Sequence, residues 1–198
     1  QSSLTQVIIQ PSYIFYSNYT SAPADLQFNL TVANVTNMGT WQVTVEYNES
    51  VLSFENITLP SDNVLHDKSP IPAGPDLTTP GQFTYGVSAG PGQSGFTGSG
   101  TLAQFSLTVD LTTAPAATVI DFQGIPDNTF LLDANLANLN FTAVTSMYSF
   151  TAVSGTQVTH TLPGTSNLAL TQSNGTISPN SAIVNTTSHT IFFNVTGT

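Results

Sequence analysis

The sequence predicts an all-β sandwich. Apolar and polar residues alternate along one segment after another, no stretch carries a 3.6-residue apolar period, and runs rich in Pro and Gly separate the segments. A chain of 198 residues with 39% hydrophobic content is long enough to bury a substantial core.

Taken in order, residues 4–10 (LTQVIIQ) form a strong β segment, and Pro11 divides it from a second apolar patch at 13–16 (YIFY). Leu26, Phe28, Leu30 and Val32 alternate with polar residues, as do Trp41, Val43, Val45 and Tyr47. Each set reads as a strand with one face on a core and one in water. Trp41 falls in phase with the valines and is expected inside. Residues 60–80 hold five Pro and a Gly, and 89–100 are rich in Gly; both read as long surface loops. Phe83, Tyr85 and Val87, then 102–109, and finally Ile191, Phe193 and Val195 complete the clear strands. The stretch LTTAPAAT at 111–118 is either a crossover between sheets or a break between two lobes, and a crossover suits the size of the chain better.

Charge is the unusual feature. Lys68 is the only basic side chain and eleven carboxylates give a formal charge of −10. Without a basic patch the chain has no means of neutralising phosphates or meeting an anionic leaflet, so nucleic acid and membrane surface are excluded as partners. No apolar run approaches the roughly 20 residues of a spanning helix. Cys is absent, so disulfides and thiolate metal sites are excluded too. In acid such a chain loses its negative charge without gaining many positive ones. Self-repulsion then stays small, which suits an acidic exterior.

Export is argued from sequons. Asn-x-Ser/Thr occurs at Asn18, Asn29, Asn34, Asn48, Asn56, Asn140, Asn174, Asn185 and Asn194. Roughly four would arise by chance in a chain this rich in Ser and Thr, so the excess favours N-glycans as the covalent additions, with no other cofactor expected. Any export leader is expected to have been removed.

Catalysis has little to stand on. His66, His160 and His189 lie in no nucleophile motif, and Glu46, Glu49 and Glu55 cluster around a turn and a sequon rather than in an evident cleft. Asp127, Asn128, Asp133, Asn135 and Asn138 offer oxygen ligands at no calcium-loop spacing and read as turn residues; no metal site is expected. Lys68 is a solvated loop lysine or, as the single side-chain amine, a candidate for an isopeptide crosslink.

Two resemblances add to this reading. The phrase GTWQVTVEYN at 39–48, followed by VLSF at 51–54, resembles the opening of a cohesin-like sandwich, where a strand leads into a turn of the form Tyr-Asn-x-x-Val-Leu-x-Phe; GTLAQFSLTV at 100–109 is similar to a later cohesin-like strand. The likeness covers about residues 26–110 and implies a β-sandwich of cohesin-like, immunoglobulin-like or jelly-roll-like build. Dense sequons, near absence of Lys and Arg, a first residue Gln and an apolar N-terminal strand together resemble the subunit of archaeal thread filaments. That resemblance implies an N-terminal donor strand around Leu4, Val7, Ile8 and Ile9 that fills a groove in the next subunit, with Lys68 as the amine of any isopeptide link.

The resulting expectation is a tail at 1–24 acting as donor strand and a sandwich body at 25–198. Its function would be that of a non-catalytic structural subunit of an extracellular, cell-surface filament. It would polymerise with itself for adhesion or biofilm. The alternative is a cohesin-like adhesion or carbohydrate-binding module, in which the first strand folds back onto its own body.

Overall fold

The computed structural model describes side chains for residues 4–14, 25–110 and 117–149, and backbone alone for 15–16, 116, 150, 157–163, 166–169, 176–178, 181–184 and 188–196. Among these residues there are strands and no helix. They are β1 (Gln6–Gln10), β2 (Tyr13–Tyr16), β3 (Asp25–Glu46), β4 (Leu52–Thr58), β5 (Ile71–Asp76), β6 (Gln82–Ser88), β7 (Phe96–Val109), β8 (Ala116–Phe122), β9 (Phe130–Asp133), β10 (Asn138–Leu139), β11 (Thr142–Val144) and β12 (Ser146–Phe150). Beyond them lie β13 (Gln157–Pro163), β14 (Ser166–Ala169), β15 (Thr176–Ser178), β16 (Ser181–Val184) and β17 (Ser188–Thr196).

Strand β3 organises the body. It is 22 residues long, and the two segments read separately from the sequence, around Leu26 and around Trp41, are its two ends. Asn34 and Asn37 take φ of 55° and 57° between them, and the register against β7 shifts at the same place. Asn tolerates the left-handed region better than most residues, and a bulge there bends a strand without ending it. The first half of β3 therefore pairs with β1 and β7, and the second with β6, β9 and β8.

Two layers follow. Sheet one runs β4-β7-β3-β1-β11 and sheet two runs β5-β6-β3, continuing through β8 to β12 and β2. Their inner faces meet: Phe105 of β7 lies 5.0 Å from Phe28 in its own sheet and 5.1 Å from Phe83 of β6 across the core. Trp41, Val43 and Val45 point into the same core, with Tyr85 at 5.9 Å from Trp41. Trp41 is fully buried, as its phase with the valines requires.

The N-terminal segment is an inner strand here and not a detached tail. β1 lies antiparallel to β3 and parallel to β11, and Val7 and Ile9 are completely buried. After Pro11 the chain repeats the arrangement in sheet two, where β2 lies parallel to β12. Two fully buried aliphatic side chains, Val7 and Ile9, each worth about 1.5–3 kcal/mol on burial, seat this segment, expected above as part of a tail at 1–24, against the body of the same chain.

Residues 111–115 fall outside the described residues; β7 before them belongs to sheet one and β8 after them to sheet two. Among the described residues β13 to β17 pair with one another, in the orders β13-β17-β15 and β14-β16, and the last strand laddered into the sandwich is β12. The edge strand β5 is exposed along its length and carries Pro72 and Pro75. Proline removes ladder donors, which blunts that edge against further pairing.

Candidate interaction surfaces

The outer face of sheet two is built by the residues that alternate with the core. Along β3 these are Thr40, Gln42, Thr44 and Glu46, and along β6 Gln82, Thr84, Gly86 and Ser88. Cross-strand pairs join them: Thr40 Oγ1 donates to Ser88 Oγ at 3.2 Å, and the hydroxyls of Thr44 and Thr84 lie 2.7 Å apart. Gly86 has no side chain because a Cβ there would stand 2.9 Å from the Trp41 carbonyl oxygen. On the other side of β3, Gln42 Nε2 donates to the Asn128 carbonyl at 3.0 Å, and Gln123 hydrogen-bonds Glu46. The centre of the face is neutral, and its acids Glu46 and Asp121 are register partners at one end.

Sheet one presents a different outer face. Asn29 on β3 and Asn56 on β4 are both exposed there, in register with Gln104 and Ser106 of β7. Gln104 Nε2 donates to Asn29 Oδ1 at 3.0 Å. Of the remaining sequons with described side chains, Asn34 sits at the bend of β3, Asn48 in the turn after β3 and Asn140 before β11, and all are exposed. Asn18, Asn174 and Asn185 lie outside the described residues, and Asn194 is placed only as backbone in β17. Among the described residues no sequon stands on the outer face of sheet two.

The expected donor residues divide by face. Val7 and Ile9 fill the core, Ile8 is half-buried, and Leu4, just ahead of β1, is 72% exposed. In this single chain the strand completes its own sheet, so a donor role is not confirmed.

Lys68 lies in the loop before β5. Its Nζ is 3.4 Å from Asp67 and donates to Ser94 Oγ at 3.3 Å, at the rim of a depression of about 270 Å³ lined in part by Asp62, His66 and Phe96. His66 is exposed, with Nδ1 2.8 Å from the Asn63 carbonyl oxygen. The strands place His160 opposite Ile191 and His189 opposite Leu162.

Glu46 and Glu49 line an open depression of about 520 Å³ with Tyr47, Pro80, Thr118 and Asp121, while Glu55 stands on sheet one, where it accepts from Thr108. Among the described residues no three His, Asp or Glu side chains are grouped to hold a metal ion. Asp133, weighed above as an oxygen ligand, spends its Oδ1 on the backbone amides of Asn135 and Ala137 at 2.8 and 2.9 Å. Those bonds, the Ala137 amide first, hold its carboxyl below the usual range.

The layered arrangement, with a first strand parallel to a late one and a long shared strand linking the sheets, defines a cohesin-like β-sandwich. Solved cohesin structures are similar to it in fold. A non-cellulosomal cohesin from the hyperthermophilic archaeon Archaeoglobus fulgidus superposes with a TM-score of 0.55 at 16% identity, over 75% of this chain and 91% of that one. The cohesin CaCohA2 from Clostridium acetobutylicum gives 0.57 at 15% identity over 76% and 93%. The third cohesin of ScaC from Acetivibrio cellulolyticus, solved in complex with the ScaB dockerin, gives 0.58 at 12% over 75% and 100%. At these identities the likeness is one of fold. No family model matches the chain, and no curated protein matches it in sequence.

Proposed function

We propose that the chain is a non-catalytic, glycosylated module of the cell exterior that binds a protein partner through the outer face of sheet two. The observation that carries this reading is the distribution of sequons. Glycans at Asn29 and Asn56 would cover sheet one, those at Asn34, Asn48 and Asn140 would line bends and loops, and the hydroxyl and amide face of β6 and β3, half-buried at Thr40, Gln42, Thr84 and Ser88 and buried at Thr44, would carry no sugar. Interfaces tolerate such neutral polar surface but not bulky mobile sugar, and an uncharged centre costs little to desolvate. The cohesin fold supports the reading, since several solved cohesins are in complex with dockerins.

The test is cosedimentation of the purified protein with envelopes isolated from its own cells. Thr84→Arg should lower the bound fraction at least tenfold, with Gln104→Arg on sheet one as the folded control. Equal binding by both variants, or equal loss from both, would sink the proposal.

A second reading, a filament subunit assembling with other copies by strand donation, is favoured by the position of β1. It is a terminal strand laddered on both sides, so its withdrawal would open a groove between β3 and β11 that an equivalent strand fits. Head-to-tail exchange of that kind does not close and yields a fibre. Electron microscopy of cell-derived protein with and without residues 1–16 decides it: filaments that vanish on truncation support donation, and monomers from both remove it.

A further inference from the structure

We infer that the Asn34 sequon is a modification site whose glycan clamps the start of the N-terminal strand in its own sheet. The inference rests on the reading of the chain as an exported glycoprotein, and concerns what one particular sugar does.

Asn34 is tied into the body at three points. Its amide donates to Ser99 Oγ at 2.9 Å, its carbonyl accepts from Thr5 Oγ1 at 2.9 Å, and its Nδ2 donates to the Leu4 carbonyl at 3.3 Å. The residue is exposed, and its φ of 55° is set by the bend of β3. Among the described sequons this is the one whose Nδ2, the atom that takes the sugar, bonds the main chain of another segment. That segment is the residue pair leading into β1.

Leu4 is the second observation. Its side chain is 72% exposed, a large aliphatic group left in water on the residue whose carbonyl accepts from the attachment atom. N-glycosylation breaks one Nδ2–H bond and the sugar C1–O bond of a lipid-phosphate-linked oligosaccharide. It forms Nδ2–C1 and releases the lipid phosphate with the proton. One Nδ2 hydrogen remains for the Leu4 carbonyl. The first sugar then stands over Leu4 and Thr5, where its C–H face covers exposed apolar surface and keeps water from the bond beneath.

Hydrogen exchange of residues 4–10, read on protein from its own cells with glycopeptide mass spectrometry of Asn34, tests this. Thr36→Ala removes the sequon and leaves Asn34 in place, Thr36→Ser keeps the sequon, and Asn56→Gln removes a distant one. Exchange in Thr36→Ala should be about fivefold faster than in the parent, equivalent to about 1 kcal/mol, and unchanged in the other two. Parent and Thr36→Ala made in a host without the glycosyl transferase should exchange alike.

An occupied Asn34 with no difference between parent and Thr36→Ala overturns the inference, as does a difference that persists without glycan. Occupancy elsewhere but not at Asn34 overturns it while leaving the glycoprotein reading intact. A chain with no sugar at any sequon removes both.

Discussion

Val7 is the register partner of Ala143 in a parallel ladder that joins the first strand of the sandwich to one of its last. Among the described residues β1 lies between β3 and β11, and β1 is the strand through which β11 joins its sheet. Every consequence of moving the N-terminal segment runs through this pairing.

Ile9 is fully buried and Leu4 largely exposed, only five positions apart in the same segment. Ile9→Ala should lower the unfolding free energy by about 2–5 kcal/mol, the range for deleting a buried aliphatic side chain. Leu4→Ala in unglycosylated protein should change it by less than about 0.5 kcal/mol. Urea unfolding of both variants checks this, and similar midpoints for the two would mean that β1 is not seated in the core.

Trp41 is fully buried, and its indole N–H has no hydrogen-bond partner. A buried donor left unpaired costs about 1–3 kcal/mol, while truncating a buried aromatic costs about 3–5 kcal/mol. Trp41→Phe should therefore cost less than about 1 kcal/mol, because removing the orphaned N–H offsets much of the lost volume. Trp41→Ala should cost several times more. Equal losses in denaturant titrations would show that the N–H is satisfied in solution.

The hydroxyls of Thr44 and Thr84 meet at 2.7 Å across β3 and β6. A double-mutant cycle with Thr44→Val and Thr84→Val should return a coupling of about 0.5–1 kcal/mol, the scale of cross-strand pairs. Additive losses would mean that each hydroxyl is satisfied separately, for Thr44 through its 3.3 Å contact with the Asn128 carbonyl.

Asp133 and Asp76 have carboxyls held below the usual range by backbone amides, of Ala137 and Asn135 in one case and Thr78 in the other. A carboxylate favoured in the folded state contributes stability above its unfolded pKa and loses it as pH falls through the lowered folded value. The turn between β9 and β10 should stay ordered through pH 4 and loosen only below the ordinary aspartate range. Amide exchange at Asn135 and Ala137 against pH checks this. Loosening that begins above pH 4 would contradict it, and Asp133→Asn should leave a weaker, pH-independent turn.

Local chemistry made much of this legible beforehand. The alternation of Leu26, Phe28, Leu30 and Val32, and of Trp41, Val43 and Val45, announces strands and their buried faces, because side chains in a strand point to opposite sides in turn. The Gly39-to-Phe54 phrase carried the cohesin-like likeness before any coordinate. The asparagines of the five sequons with described side chains are exposed.

The tertiary structure alone decided which strands are partners. Nothing near Asn34 or Asn37 in the chain shows that two apparent strands are one, bent where those residues adopt positive φ and shared by both sheets. Nothing near Val7 names Ala143. Alternation reports which side of a strand is buried, but the ladder partner is chosen by global closure of the sheets, through contacts far apart in sequence. The polar face of sheet two arises the same way, since the hydroxyls of Thr44 and Thr84 meet only when β3 and β6 pair.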